Sequence, residues 1–189
     1  IFSSKFNRFK MILYLANSIN YLSWEGLPWI ISAWIGLVLF RSFATFVHEL
    51  GHLIPAFFLT KDVLLIRVGN KSKSWKITSG RIHWELSFLS GREGFTGYQT
   101  KNLSPVRLFT IIAMGPVASL LMSTASGWII FSTIVPTWLE IIMVSWFCAN
   151  SLAFFRSILP VTLKPTENFP KGPPSDGLEL MRILRGKNR

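Results

Sequence analysis

Three long apolar stretches, residues 28–59, 106–133 and 138–159, dominate the pattern of the chain. Each is longer than the ~20 residues that an α-helix needs to cross a bilayer. A fourth stretch, residues 11–24, is shorter and contains polar residues, which is typical of an interfacial helix or a short membrane segment. The pattern therefore predicts an α-helical multi-pass membrane protein with about three core transmembrane helices.

The segment between the first two spans, residues 61–101, has a different pattern. Residues 63–68 and 81–88 are short apolar runs, the second of which partly alternates with polar positions, and glycine-containing turn signals follow or precede them. We therefore expect a small β-sheet at the membrane surface, between the first and second core helices.

Composition supports a single membrane domain. Of 189 residues, 50% are hydrophobic and only 15% are charged, and the chain contains 8 Trp and 16 Phe. Such values are unusual for a soluble domain and are typical of membrane proteins with aromatic belts. We treat residues 1–189 as one domain, in which residues 160–189 form a Pro-rich loop, an Asp-Gly motif and a C-terminal helix.

The net charge of +11 would suggest nucleic-acid binding in a soluble chain. Here the basic residues lie mainly in the loop at residues 61–101 and in the tail after residue 159, and the positive-inside rule places both in the cytoplasm. We expect no nucleic-acid partner and a multi-pass location in the cytoplasmic membrane of a prokaryote. Lys5, Arg8 and Lys10 leave the side of the N-terminus and the number of crossings open.

The candidate chemistry lies near the end of the first apolar stretch, in the sequence His48-Glu49-Leu50-Gly51-His52. Two histidines four positions apart lie on one face of a helix, where their imidazoles can bind one Zn²⁺. Glu49 can act as a general base towards a water that the metal activates. Ionisable groups in a membrane span are costly and typically functional. The structural alternative is a pair of histidines hydrogen-bonded around Glu49.

A catalytic zinc site needs a third protein ligand and an open fourth position. Asp62 directly follows the first span and is expected in a loop. Asp176 lies in a turn before the last helix, where it either completes the zinc site or caps that helix. Glu85, Glu93 and Glu140 are further candidates, and the residue pattern alone does not decide among these possibilities.

The chain resembles the site-2 protease family of intramembrane zinc metalloproteases over residues 29–184. The sequence at residues 48–52 matches the metal-binding helix of that family. Residues 113–119 are similar to the Gly-Pro stretch of its second core helix, with Ser119 where many members carry Asn. The third motif is matched in three pieces: Asn150-Ser151-Leu152, Leu159-Pro160 and Ser175-Asp176-Gly177.

The resemblance implies specific roles for several residues. Asp176 would be the third zinc ligand beside His48 and His52. Glu49 would activate water for peptide-bond hydrolysis. Asn150 would lie near the site and contact the substrate or the transition state.

Members of the family hold an extended substrate on a strand beside the site, by β-augmentation. The candidate strand here is Arg81–Phe88, and its expected substrate contacts are Arg81, Ile82, His83 and Trp84. The Pro-rich insert at residues 160–175 is longer than in compact members, so it is either a substrate gate or a plain connection.

These observations predict a Zn²⁺-dependent endopeptidase that cleaves a membrane-bound or membrane-associated protein near the cytoplasmic face. Its partners would be the lipid bilayer and a peptide or transmembrane protein substrate, and the oligomeric state is left open. One alternative is a membrane zinc peptidase of the prenyl-protein-processing type, with Glu as third ligand. The other is a non-catalytic metal-binding scaffold, which would not need the base Glu49.

Overall fold

A computed structural model describes residues 27–69, 74–88, 93–100, 103–132, 136–165 and 171–186 of the chain. Within these ranges it contains four helices: α1 (Leu27–Leu59), α2 (Pro105–Ser132), α3 (Thr137–Ile158) and α4 (Asp176–Leu184). It also contains four strands: β1 (Leu64–Val68), β2 (Trp75–Ser79), β3 (Ile82–Leu86) and β4 (Gly94–Gly97). The predicted N-terminal segment at residues 11–24 lies outside the described ranges.

Helices α1, α2 and α3 are long and apolar enough to cross a membrane. This confirms the predicted multi-pass α-helical fold class with a small sheet between the first two core helices. The N-terminal half of α1 exposes apolar side chains such as Trp34 and Val38, as a lipid-facing surface would. Its C-terminal half is different, because His48, Glu49 and His52 are buried there among the other elements.

The four strands form one mixed sheet in the order β2-β3-β1-β4. Strand β1 pairs in parallel with β3, and it pairs antiparallel with β4. Strand β2 pairs antiparallel with β3. Consequently β3 and β1 are interior strands, while β2 and β4 are the outer strands of the sheet.

Alternating side chains of β1 fix the sheet to the helices. Leu64 and Ile66 are fully buried against Leu53 and Ala56 of α1 and against Ile111 of α2. This period-two alternation of buried residues is that of a strand with one face on a core. The packing places β4, on the far side of β1 from β3, next to the half of α1 that contains His48, Glu49 and His52.

The sheet order contradicts the prediction that Arg81–Phe88 receives the substrate. Strand β3 is hydrogen-bonded on both sides, by β1 and β2, so it has no free edge for β-augmentation. The prediction was wrong because the sequence of a single strand does not show whether that strand lies at the edge. The position of β3 in the sheet depends on the crossover connection between β1 and β3.

The predicted substrate contacts on this segment have structural roles instead. Arg81 donates hydrogen bonds to the carbonyls of Phe57 and Thr60 at the C-terminal end of α1, where a cation is favourable. His83 is exposed and hydrogen-bonds the hydroxyl of Thr78 at 3.1 Å. Ile82 and Trp84 pack against the hydrophobic core cluster.

The described ends of the Pro-rich insert pair with each other. Leu163 N–H donates to the Pro173 carbonyl at 2.8 Å, and Ser175 N–H donates to the Val161 carbonyl at 2.9 Å. Thr162 lies opposite Pro174 between these two bonds. We call this two-stranded segment, residues 161–163 and 173–175, the ribbon; it leads directly into α4.

Candidate metal centre

Two helices bring together three side chains that could hold a metal ion. On α1, the Nε2 atoms of His48 and His52 lie 3.2 Å apart. The carboxylate of Asp176, at the start of α4, lies 3.0 Å from His48 Nε2 and 3.5 Å from His52 Nε2. One ligand atom from each residue lies within 4.8 Å of the others. In the part of the chain that the structure describes, these three residues form the one such group of His, Cys, Asp and Glu.

Asp176 does not cap α4. The N-cap residue is Ser175, whose side chain accepts a hydrogen bond from Leu178 N–H. The Asp176 carboxylate is therefore available to the histidines. Burial alone would raise the pKa of Asp176, but hydrogen bonds with His48 and His52 outweigh burial and hold that pKa well below its usual range. The carboxylate is thus ionised, as an anionic metal ligand must be.

The other ring nitrogen of each histidine already has a partner. His52 Nδ1 donates to the carbonyl of Ile111 at 2.8 Å, and His48 Nδ1 lies 3.1 Å from the hydroxyl of Ser119. Both partners belong to α2. Such contacts fix the orientation and tautomer of a metal-binding histidine. With Nδ1 occupied in both rings, the two Nε2 atoms are the ones left to face Asp176.

Close contact between α1 and α2 makes this arrangement possible. Gly115 of α2 lies against the ring of His52, and a Cβ at this position would overlap the ring. The Gly-Pro stretch of the second core helix therefore has a steric role: Gly115 has no side chain, which lets α2 approach His52 closely.

Residues of the sheet contact the carboxylate of Glu49 and fix its position. The hydroxyl of Thr96 on β4 donates to Glu49 Oε2 at 2.6 Å. Gly94, two residues earlier on β4, lies against the other carboxylate oxygen, and a side chain there would overlap it. The sequence reasoning missed both residues, since a single Thr and a Gly in a short strand carry no motif.

A cavity of about 1240 Å³ opens beside these groups. It is lined by His48, Glu49, His52 and Asp176, by β4 and by residues of the ribbon. None of the four residues 81–84 lines it. Asn150 does not line it either: this residue is fully buried, and its side chain donates to the Trp146 carbonyl of its own helix at 2.9 Å. The structure therefore does not bring Asn150 to the cavity.

The glutamates that the sequence left as alternative ligands are not part of the group. Glu85 lies on the sheet, where its carboxylate accepts a hydrogen bond from Arg67 Nε at 2.5 Å. Glu140 is exposed in the first turn of α3. Glu93 is exposed, and although it lines the cavity it does not belong to the three-residue cluster.

Comparison with known proteins gives one family. A family model described as Peptidase family M50 matches residues 36–174, which is more than half of the chain. The matched part includes His48, Glu49 and His52 and ends before Asp176. No curated protein and no solved structure matches the chain. The length of the family match shows that the chain belongs to peptidase family M50, the site-2 protease family of membrane metallopeptidases.

Proposed function

We propose that the protein is an intramembrane zinc metalloprotease that hydrolyses a peptide bond in a membrane-bound or membrane-associated protein near the cytoplasmic face. The observation that carries the proposal is the meeting of His48, His52 and Asp176 in one cluster, with Glu49 beside it on α1. Membership of family M50 and three membrane-length helices support it.

The donor set suits zinc. Two imidazole nitrogens and one carboxylate oxygen are a known set of three protein ligands at catalytic zinc sites, where a fourth position remains open. The contacts of Ser119 and Ile111 with the Nδ1 atoms are those expected around such ligands. Zinc bound here would supply a Lewis acid that polarises a peptide carbonyl and lowers the pKa of water.

Glu49 has the position of a general base. Its neighbour His48 is one of the proposed ligands, and Glu49 lines the same cavity as the three ligands, where it could accept a proton from an attacking water. Thr96 fixes one carboxylate oxygen at 2.6 Å. We propose that Glu49 takes the proton of the attacking water and passes it to the departing amine nitrogen.

Strand β4 replaces β3 as the proposed substrate strand. The bond from Gly69 N–H to the Glu93 carbonyl shows which pairs of β1 and β4 are hydrogen-bonded. Because these pairs alternate in an antiparallel ladder, Gly94 and Thr96 direct their backbone N–H and C=O groups away from β1. Both residues line the cavity. An extended substrate that pairs with them would present its backbone next to Glu49.

The test is the substitution Glu49→Gln in the full chain, reconstituted in lipid vesicles with a panel of fluorescent transmembrane peptides. The variant is expected to keep the zinc content of the wild type and to lose cleavage. Glu140→Gln, at an exposed position on α3, is the matched control and should cleave normally. Full proteolysis by Glu49→Gln would exclude this mechanism. Zinc binding without cleavage of any peptide by the wild type would favour the non-catalytic scaffold.

A further inference from the structure

The hydroxyl of Ser175 connects three parts of the chain just before Asp176. It donates to the Leu159 carbonyl at 2.5 Å and accepts from Val161 N–H at 3.1 Å and from Leu178 N–H at 3.2 Å. A hydroxyl offers one donor and two acceptor sites, so all of its hydrogen-bonding capacity is used. The residue is only 1% exposed, so water does not replace these bonds easily.

The backbone of Ser175 is fixed as well. Its N–H donates to the Val161 carbonyl at 2.9 Å, and its carbonyl accepts from Glu179 N–H at 3.0 Å. Ser175 therefore holds the ribbon, the C-terminal end of α3 and the first turn of α4 in one arrangement. On the other side of Asp176, Gly177 lies against the carbonyl of Ile158, where a Cβ would overlap it.

Asp176 depends on this arrangement to reach the histidines. Its carboxylate must come within 3.0 Å of His48 Nε2 and 3.5 Å of His52 Nε2, although those residues lie more than 120 positions earlier in the chain. Its position relative to α1 therefore depends on how the start of α4 is attached to the end of α3, together with the packing of α4 against α2. Small shifts of a ligand weaken a metal site, since its geometry must hold within tenths of an ångström.

We propose that Ser175 is a positioning residue for zinc binding, whose hydroxyl sets the start of α4 so that the Asp176 carboxylate meets the two histidines of α1. The inference rests on the proposed zinc function. It gives the ribbon a role beyond a plain connection, because the ribbon is one of the parts that the hydroxyl holds.

The test compares zinc dissociation constants, measured by chelator competition on the full chain in detergent. Ser175→Ala should raise the constant about 10–100-fold, the range typical for loss of a group that orients a metal ligand. Ser175→Thr keeps the hydroxyl and should stay within about threefold of the wild type. Ser126→Ala is the matched control, because Ser126 is also buried but bonds only within α2, and it should not change the constant.

Ser175→Gly separates positioning from helix capping. Glycine is nearly as good an N-cap as serine but lacks the hydroxyl. It should therefore weaken zinc binding as Ser175→Ala does, while circular dichroism shows the helix content of the wild type. Wild-type zinc affinity in both Ser175→Ala and Ser175→Gly would overturn the inference.

A double-mutant cycle tests whether the effect passes through Asp176. In the Asp176→Ala background, Ser175→Ala should cause no further loss of zinc affinity. Losses that add would mean that Ser175 acts independently of Asp176, and the inference would be wrong. A wild-type protein without zinc affinity would instead overturn the proposed function and this inference with it, so the two failures are distinguishable.

Discussion

The hydroxyl of Thr96 donates a hydrogen bond of 2.6 Å to the carboxylate of Glu49, joining residues 47 positions apart in the sequence. Thr96 also donates to the Glu49 backbone carbonyl, at 3.2 Å. A strand of the sheet thus sets the direction of the proposed base on α1. Since Thr96 lies on the strand proposed to bind substrate, the same element would align both the base and the peptide.

Thr96→Val removes this hydroxyl and keeps the shape of the side chain. We expect zinc content to stay at the wild-type level and the rate of peptide cleavage to fall up to about 100-fold, because a misdirected base loses its alignment with the attacking water. Thr96→Ser should restore most of the rate. The measurements are single-turnover cleavage and metal analysis of the same samples.

Thr78→Val is the control for this prediction. Thr78 lies on the exposed strand β2, where its hydroxyl contacts His83 and not the cavity. This variant should cleave at the wild-type rate. A Thr96→Val protein that cleaves equally fast would show that the hydrogen bond does not direct Glu49.

The identity of the third ligand gives a second prediction. Asp176→Ala should lower zinc affinity by more than the roughly 10–100-fold that loss of an orienting partner causes, because the ligand itself is removed. Glu85→Gln, Glu93→Gln and Glu140→Gln should each keep wild-type affinity, as none belongs to the cluster. Zinc loss in one of the Glu variants, with Asp176→Ala unaffected, would support the prenyl-protein-processing type instead. Equilibrium dialysis with radioactive zinc measures the zinc affinity of all four variants.

The parts of the protein that the sequence predicted depend on local patterns. The spans follow from the length of apolar stretches, and the pair His48 and His52 follows from helical periodicity. Asp176 could be named from the family resemblance but not from spacing, since its approach to α1 depends on how α3, the ribbon and α4 pack. Thr96 acts through tertiary contacts, and nothing in the neighbouring sequence indicates it. Ser175 has the pattern of an N-cap, but its contacts with Leu159 and Val161 depend on the tertiary fold.

The strands show the same difference between features that local sequence predicts and features that depend on tertiary packing. Strands β1 and β3 were predicted because they are rich in apolar residues. Strand β2 is exposed along its whole length, and β4 begins and ends with glycine, so neither has the pattern of a half-buried strand. Because β4 was missed, the interior strand β3 was taken as the substrate strand. The error lies in the order of strands, which the sequence of each strand does not encode.

Ser119 provides a third prediction. Its hydroxyl contacts His48 Nδ1 at 3.1 Å and is fully buried in α2. Ser119→Ala should raise the zinc dissociation constant about 10–100-fold, because the ring of His48 loses the group that orients it. The matched control is Ser123→Ala, one turn further along α2, where the hydroxyl contacts Ser151. If Ser119→Ala binds zinc as tightly as the wild type and Ser123→Ala do, Ser119 does not orient the histidine.

Gly115 provides the fourth prediction, because its Cα faces the ring of His52. A Cβ there would overlap the ring, so either the imidazole or α2 must shift, and either movement disturbs the hydrogen bond from His52 Nδ1 to the Ile111 carbonyl. Gly115→Ala should therefore lose zinc binding. The metal-free protein should be affected less, since alanine in a helix is favoured over glycine by roughly 1 kcal/mol.

Gly127→Ala on the same helix is the control for Gly115. Its Cβ would meet the edge of the Phe147 ring at 3.2 Å, so a small movement of that ring accommodates it, and zinc binding should be unchanged.

Thermal unfolding with and without zinc separates the effect of Gly115→Ala on zinc binding from its effect on the stability of the metal-free protein. In the wild type and in Gly127→Ala, zinc should raise the melting temperature, because a ligand that binds only the folded state stabilises it. In Gly115→Ala zinc should have no such effect. If zinc raised the melting temperature of Gly115→Ala as much as that of the wild type, the His52 ring would tolerate a Cβ at position 115.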